Sequence, residues 1–286
     1  MDLDKLDALI EPCRLCPRNC RAQRRAGKLG FCRAGADALV GSVGPHFGEE
    51  RVLVGRGGSG AIFLAGCNLG CRFCQNWELS HELAGRPVGV EDLAEAMLAL
   101  QDRGCENVNL VTPTHFAPPI ARAVALARRR GLRKPTVWNC GGYESVEALR
   151  ALDGLVDIYM PDLKTLDPEW AERALLALDY PERAPEALLE MQRQVGDLET
   201  DARGVAVRGL LARHLVMPSQ AADARACLEF LAREVSPRAF VNVMGQYHPC
   251  GEAQEVDGLG RRPLGSEVSS ARAWARELGL RLAAEG

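Results

Sequence analysis

Six short apolar runs alternate with segments of helical periodicity, and this alternation restricts the fold of the 286-residue chain more than any other feature. The apolar runs are predicted strands, at residues 61–65, 107–112, 136–139, 155–160, 210–217 and 240–244. Strands that alternate with helices pair in parallel through right-handed crossovers. Because strands this apolar have to be covered on both faces, the pattern predicts an α/β domain with a curved sheet inside and helices outside.

Helices are predicted where apolar residues recur every three or four positions. The segments with this pattern are 3–10, 91–103, 119–130, 145–152, 168–178, 185–194, 221–234 and 266–278. Residues 37–58 lack it and predict an irregular or two-stranded approach to the first strand of the domain. We therefore divide the chain into an N-terminal cysteine-rich extension, 1–58, and a main domain, 59–286.

The composition is that of an ordinary soluble globular protein, with 47% apolar and 26% charged residues. The net charge of −3 gives no support for a nucleic-acid or membrane partner. No apolar run reaches about 18 residues, so no membrane-spanning helix is predicted. Residues 1–12 lack the apolar core of an export signal, and we expect a cytoplasmic protein, in which clustered cysteines bind metals and do not form disulfides.

Three cysteines follow the first predicted strand in the spacing C-x3-C-x2-C, at Cys67, Cys71 and Cys74. Three thiolates are one short of the four that a 4Fe–4S cluster uses, which leaves one iron open to a bidentate ligand such as the amine and carboxylate of S-adenosylmethionine (SAM). The alternatives are a set of buried structural thiols and a zinc site completed by His81. The loop is polar and glycine-rich, which favours the open-iron cluster.

A second group of four cysteines, Cys13, Cys16, Cys20 and Cys32, lies in the N-terminal extension. Four thiols within twenty residues can surround zinc or an iron–sulfur cluster, and the alternative is a metal-free loop held by packing. The seven Lys and Arg residues between positions 14 and 33 are explained as a solvated face or as counter-charge to an anionic metal–thiolate centre. The group therefore predicts a second metal site, of zinc or iron–sulfur type.

The block CNLGCRFCQNW, with an aromatic residue directly before its third cysteine, resembles the radical SAM signature. It is also similar to a narrower group, the proteins like pyruvate formate-lyase activating enzyme, and one subgroup of these has a comparable four-cysteine N-terminus. The resemblance implies a partial (β/α)6 barrel that binds a 4Fe–4S cluster through Cys67, Cys71 and Cys74. It also implies reductive cleavage of SAM to a 5′-deoxyadenosyl radical, which abstracts hydrogen from a substrate.

Chemistry in such a fold gathers at the carboxyl ends of the strands, where polar residues follow the apolar runs of this chain. The resemblance implies that Asp162 and Lys164, after the fourth strand, touch the ribose and carboxylate of SAM; the alternative is a surface ion pair. Arg213 stands where the family has a basic residue near SAM, or else it pairs with a helix carboxylate. His248 follows the sixth strand, again near SAM in the family.

Two further cofactor-binding candidates lie where the chain departs from the family pattern. Asn139 replaces an Asp that many activating enzymes carry. Thr112 begins the segment that stands where many radical SAM enzymes have Gly-Gly-Glu to hold the SAM amine. A hydroxyl and backbone carbonyls in the segment that begins at Thr112 can accept hydrogen bonds from the ammonium group of SAM. We therefore count Thr112 and Asn139 among the predicted cofactor-binding residues.

Two other cysteines, Cys140 and Cys250, come at the ends of the third and sixth strands and are candidate catalytic residues. A thiol near a carbon radical gives up its hydrogen easily, so either residue could quench or relay the radical. The alternative is that both only pack beside the cofactor. Cys105 and Cys227 lie away from the strand ends and are expected to be structural.

The expected function is that of a radical SAM enzyme, and its target is either the glycine of a glycyl-radical enzyme or another protein or small molecule. Such an enzyme needs a low-potential electron donor, of the flavodoxin or ferredoxin type. The alternative function is a non-catalytic iron–sulfur or zinc protein that scaffolds a partner. Turnover of SAM distinguishes the two classes.

Overall fold

A single mixed β-sheet lies at the centre of the protein, for which the computed structural model describes residues 1–284. The strands in this part of the chain are β1 (Ala38–His46), β2 (Ser59–Leu64), β3 (Arg86–Val88), β4 (Val108–Val111), β5 (Thr136–Cys140), β6 (Ile158–Pro161), β7 (Glu199–Thr200), β8 (Ala206–Leu215), β9 (Phe240–Met244) and β10 (Arg281–Leu282). The sheet order is β10-β9-β8-β6-β5-β4-β2-β1-β3, and β7 pairs with β8.

The six strands β2, β4, β5, β6, β8 and β9 are the six that the sequence predicts, and each is parallel to the next. Every residue of β4, β5 and β6 is buried, as expected for strands that are covered on both faces. The predicted α/β fold with a partial (β/α)6 barrel is therefore confirmed. The short strand β10 continues the parallel series beyond β9.

Helices connect and cover the parallel strands. Within the described residues they are α1 (Leu3–Ile10), α2 (Arg51–Val54), α3 (Trp77–Ser80), α4 (Val90–Asp102), α5 (Ala117–Arg129), α6 (Val146–Ala151), α7 (Pro168–Leu175), α8 (Tyr180–Val195), α9 (Ala221–Phe230) and α10 (Gly265–Glu277). Helix α8 begins five residues before its predicted start, since Pro181 fits a first turn in which no N–H is needed. None of the helices in residues 1–284 is long and apolar enough to cross a membrane.

The N-terminal extension contributes a strand to the sheet. Strand β1 pairs antiparallel with β2, and β3 pairs antiparallel with β1. The predicted division at residue 58 thus falls between two hydrogen-bonded strands. Helix α1 precedes the cysteine group and packs on α5 and α6, so the extension is fastened to the outer helices as well as to the sheet.

Candidate active site

The loop after β2 holds Cys67, Cys71 and Cys74 as half-buried free thiols. Gly66 starts the loop at a φ of +82°, a conformation that glycine adopts without strain. The backbone N–H of Leu69 donates to Cys67 Sγ at 3.4 Å, and such bonds stabilise metal-bound sulfur. Burial raises the pKa of the Cys71 thiol to about 12, against the opposing charge of Lys164. Metal binding must therefore displace a proton from a neutral thiol.

Packing on both sides fixes the conformation of this loop. Phe73 lies between two aromatic rings, with its centroid 5.7 Å from that of Trp170 and 5.9 Å from that of Tyr247. Arg72 donates to Glu252 at 2.8 Å and to Glu255 at 3.0 Å. The loop is thus held between α7 and the segment that follows β9.

A charge network, in which each charged side chain is 15% exposed, follows β6 at the carboxyl edge of the sheet. Lys164 Nζ lies 2.7 Å from one carboxylate oxygen of Asp162, and Arg213 Nε lies 2.8 Å from the other. Burial alone would raise the pKa of Asp162, but Arg213 and Lys164 hold it below its usual value. Lys164 and Cys71 are close enough for each to shift the pKa of the other. The network therefore borders the cysteine loop.

Arg213 extends the network into the barrel. Its Nη2 donates to Asn139 Oδ1 at 2.6 Å, and its Nη1 lies 3.7 Å from Glu49 Oε2. Glu49 also accepts from Asn139 at 3.4 Å. Burial raises the pKa of Glu49, and the charge of Arg213 opposes this rise. Four of the six predicted cofactor-binding residues, Asn139, Asp162, Lys164 and Arg213, thus form one connected set.

A cavity of about 1000 Å³ opens beside this set, along β9 and α10. Its polar lining includes Glu49, Glu50, Arg213, Asn242 and Gln246. Asn242 donates to Glu50 Oε1 at 2.8 Å, whereas Glu50 Oε2 is buried and has no hydrogen-bond partner among residues 1–284. The cavity provides a polar space for a ligand next to Arg213.

The two other predicted cofactor-binding residues lie at separate edges of the network. Thr112 follows β4 at a φ of +59°, and its N–H donates to Asn139 O at 2.8 Å. His248 Nδ1 lies 3.2 Å from Gln75 Nε2, one residue beyond Cys74. Thr112 is therefore joined to the network by its backbone, and His248 contacts the cysteine loop from the other side.

The two cysteines at the strand ends differ in their surroundings. Cys140 is buried, and its thiol lies close enough to the Glu144 carboxyl group for each to shift the pKa of the other. Burial and the nearby Glu144 carboxylate raise the pKa of Cys140 well above its usual value. Cys250 is half-buried, and the next residues bind the cysteine loop, with Glu252 N donating to Arg72 O at 2.7 Å.

A carboxylate also reaches the end of β4 from the loop that follows β5. Glu144 is buried and accepts a hydrogen bond from the hydroxyl of Thr114. Burial raises its pKa to about 7, although Thr114 and Cys140 act in the opposite direction. The segment in which the sequence lacks a family Glu is thus in contact with a Glu from a neighbouring loop.

The cysteines of the N-terminal extension line one small cavity: Cys13, Cys16, Cys20 and Cys32. Each is a free thiol, and Cys20 is the exposed member. In residues 1–284, no set of three or more His, Cys, Asp or Glu side chains is placed to hold a single metal ion. That statement includes Cys67, Cys71 and Cys74, whose thiolates would each bind a different iron in a cluster.

A comparison of the chain with known protein families matches the segment that carries the cysteine loop, Asp162 and Lys164. Residues 61–195, from β2 to the end of α8, match the model of the radical SAM superfamily. These residues form a radical SAM domain. The family match supports an enzyme that uses a 4Fe–4S cluster and SAM, and the free loop cysteines beside Lys164 fit such a cluster.

Two curated relatives of this chain are uncharacterized proteins of Methanocaldococcus jannaschii. One is 29% identical over 96% of this chain and 77% of its own length. The other is 26% identical over 57% of this chain, which spans 52% of that relative. The crystal structure of Streptococcus suis SuiB bound to S-adenosylmethionine matches with a TM-score of 0.49 and 13% identity, over 79% of this chain and 46% of that chain.

Sequence reasoning assigned no role to Glu49, Glu144 or His115. Glu49 belongs to an adjacent acidic pair, 49–50, in a segment that was predicted as an irregular or two-stranded approach. Glu144 follows Gly141-Gly142 with one residue between, a spacing close to the Gly-Gly-Glu that was sought after the preceding strand. These two signals were present in the sequence but lay outside the strand ends at which they were expected.

Proposed function

We propose that this protein cleaves SAM reductively, with Cys67, Cys71 and Cys74 holding the 4Fe–4S cluster and the Asp162 network holding SAM. One observation carries the proposal: Lys164, bound to Asp162, lies next to Cys71. When bound, the cluster and SAM together supply a 5′-deoxyadenosyl radical for hydrogen abstraction. The protein supplies the ligands, the orientation and the shielding from water.

The charges of the network suit the two ends of SAM. The Lys164 ammonium and the Arg213 guanidinium can bind a carboxylate, and the Asp162 carboxylate can accept hydrogen bonds from ribose hydroxyls. Without SAM these groups satisfy one another at 2.7 and 2.8 Å. Binding of SAM therefore exchanges contacts within a preformed polar site, which lowers the ordering cost.

The proposed target is a polar segment that enters the cavity beside Arg213. Its volume of about 1000 Å³ is at the upper end of small-molecule sites and can admit a protein loop. This favours the glycine of a glycyl-radical enzyme as the target. An electron donor of flavodoxin or ferredoxin type completes the proposed system.

The test of SAM cleavage uses the reconstituted protein under anaerobic conditions with dithionite. We expect 5′-deoxyadenosine from the wild-type protein and none from the Cys71→Ala variant. A protein with a full 4Fe–4S cluster that forms no 5′-deoxyadenosine would overturn the proposal and favour a scaffold.

The target is tested separately, by electron paramagnetic resonance of mixtures with glycyl-radical enzymes encoded in the same genome. A glycyl-radical doublet that depends on SAM and on Cys71 supports this target. SAM cleavage without any doublet would exclude it and leave another protein or a small molecule as the substrate.

A further inference from the structure

A second candidate site lies in the N-terminal extension, outside the SAM network. Its cavity is formed by the four cysteines of the extension and by His115, which follows β4 in the main domain. Arg24 also lines this cavity. The sequence predicted a metal for the cysteines alone, whereas the fold adds an imidazole from a distant part of the chain.

His115 lines this cavity and has one ring nitrogen without a hydrogen-bond partner among the described residues. The residue is 1% exposed, and its Nε2 lies 2.9 Å from the carbonyl oxygen of Ala65. Because a carbonyl only accepts, Nε2 carries the proton and Nδ1 of the neutral ring is unprotonated. Nδ1 is buried without a partner among the described residues. A histidine that donates one N–H to a backbone carbonyl and leaves its other nitrogen free has the arrangement of a metal ligand.

Arg24 requires an anion in the same place. Its side chain is 2% exposed and donates to the carbonyl groups of Ala34 at 3.0 Å and of Gly35 at 2.5 Å. Its Nη1 lies 3.8 Å from Cys13 Sγ, and no carboxylate within residues 1–284 forms an ion pair with it. A buried cation without a counter-charge is costly. Metal-bound thiolates would supply the missing negative charge.

The arrangement favours a cluster over a single ion. Zinc would need its sulfur and nitrogen ligands at about 2.0–2.3 Å from one point. No three such side chains in residues 1–284 are placed in that way. A cluster binds its ligands through several irons, so these ligands need not converge on one point.

We propose that the N-terminal extension binds an iron–sulfur cluster through Cys13, Cys16 and Cys32, with His115 Nδ1 as the fourth ligand. Cys20 is the exposed cysteine of the group and is not needed as a ligand. The three thiols release their protons when they bind iron. His115 thereby joins the extension to the end of β4.

The two metal sites of the protein are then direct neighbours. Asn68, next to Cys67, also lines the cavity of the extension. A side chain at Gly66 would lie 2.9 Å from the carbonyl oxygen of Cys32 and 3.1 Å from His115 Nε2, so the two cysteine segments touch there. The proposed cluster therefore lies directly behind the loop of the first cluster.

The experiment isolates the second site in a full-length variant that lacks the three loop cysteines. After anaerobic reconstitution with iron and sulfide, we expect about four irons per chain. Electron–nuclear double resonance of the reduced protein should show a strongly coupled ¹⁴N that changes when histidine carries ¹⁵N. In this background, His115→Cys should retain iron, lose that coupling and lower the reduction potential, since thiolate replaces neutral imidazole.

A second buried histidine provides the matched control. His214 is 2% exposed, its Nδ1 lies 2.8 Å from Leu163 O, and its Nε2 has no partner among the described residues. The residue does not line the cysteine cavity, so His214→Gln should leave the nitrogen coupling unchanged.

Cysteine variants and metal analysis complete the test. Cys20→Ser should retain the cluster and Cys32→Ser should lose it. Zinc in place of iron, no metal in the folded loop variant, or loss of iron in Cys20→Ser would overturn the proposal. Persistence of the nitrogen coupling in His115→Cys would overturn it as well.

Discussion

Asp162 and Arg213 form an ion pair between neighbouring strands, with 2.8 Å between Oδ1 and Nε and each side chain 15% exposed. Asp162 directly follows β6, and Arg213 lies within β8, where the two residues form an isolated parallel bridge. Lys164 binds the other oxygen of the same carboxylate at 2.7 Å. One carboxylate therefore pairs with two cations that are mostly shielded from water, and the residues expected to hold SAM also bind one another.

Removal of this carboxylate should destabilise the ligand-free protein. Asp162→Asn leaves Lys164 and Arg213 without their shared partner, which should cost about 3–5 kcal/mol in the free energy of unfolding. Urea denaturation measures the loss. The control is Glu229→Gln, which removes a carboxylate whose partners Arg225 and Arg233 are more than half exposed and should cost less than about 1 kcal/mol. Equal losses in the two variants would contradict the expectation that the Asp162 network contributes more to the free energy of unfolding than the ion pairs of Glu229 do.

Cys71→Ala should abolish binding of the first cluster and formation of 5′-deoxyadenosine. Cys71 supplies an iron bond that no neighbouring side chain replaces, so the loss should be complete and not partial. The matched control is Cys105→Ala, which removes a buried free thiol outside both cysteine groups. It should retain the cluster and SAM cleavage, and normal cleavage in the Cys71→Ala protein would contradict the site assignment.

Glu144 should make the metal-free protein less stable as the pH rises. Burial raises its pKa from 4.5 to about 7 in the folded protein, so between these values the folded state binds the extra proton. The contribution of protonated Glu144 to the free energy of unfolding is fully present below pH 4.5 and is lost by about pH 7. The loss amounts to about 3 kcal/mol. Urea unfolding at several pH values should show this decline in the wild-type protein and not in Glu144→Gln.

Glu190 provides a control of opposite sign. Burial alone would raise its pKa, but Arg193 and Gln194 hold it below its usual value of 4.5. Its stabilising contribution is present above pH 4.5 and is lost as the pH falls further. Glu190→Gln should therefore alter the pH dependence only in the acid range. The Glu144 assignment fails if its Gln variant retains the wild-type decline between pH 4.5 and 7.

Cys250 should exchange hydrogen with the radical during uncoupled SAM cleavage. Its half-buried position beside the cysteine loop makes it a better candidate than Cys140, whose thiol is buried against Glu144. In deuterated water, mass spectrometry should find deuterium in 5′-deoxyadenosine from the wild-type protein and less from Cys250→Ala. Cys227→Ala, within α9, should resemble the wild type. The same deuterium content in all three proteins would remove Cys250 from the mechanism.

Gly142 should not tolerate a side chain, because the backbone carbonyl of Asp162 lies directly against it. Its φ is +78°, and a Cβ at this position would lie 2.2 Å from Asp162 O. Gly131 also has a positive φ, of +107°, but a Cβ there meets no atom within 4 Å. Gly142→Ala should therefore be less stable than Gly131→Ala by about 2 kcal/mol and should bind SAM more weakly. Calorimetry of unfolding and of SAM binding would reveal whether the two variants differ as expected.

The local signals of the sequence predicted most of the fold. The six parallel strands and the helices between them follow from apolar runs and helical periods, which depend on residues close together in the chain. Strand β1 was predicted only as one of two alternatives, an irregular or a two-stranded approach, since five of its nine residues are exposed or half-buried glycine, serine, valine and proline between positions 41 and 45. Such a segment becomes a strand only because β2 and β3 hydrogen-bond to it on either side.

The sequence by itself determined the cysteine loop, the second cysteine group and the order of the parallel strands. The tertiary structure decided which side chains meet: Asp162 with Arg213, 51 residues apart, Glu49 with Asn139, 90 residues apart, and His115 with the cysteines of the extension. Spacing along the chain reports only neighbours within a few residues. Contacts between distant residues depend on strand order and on the closing of the sheet, because these bring the ends of separate strands to one edge.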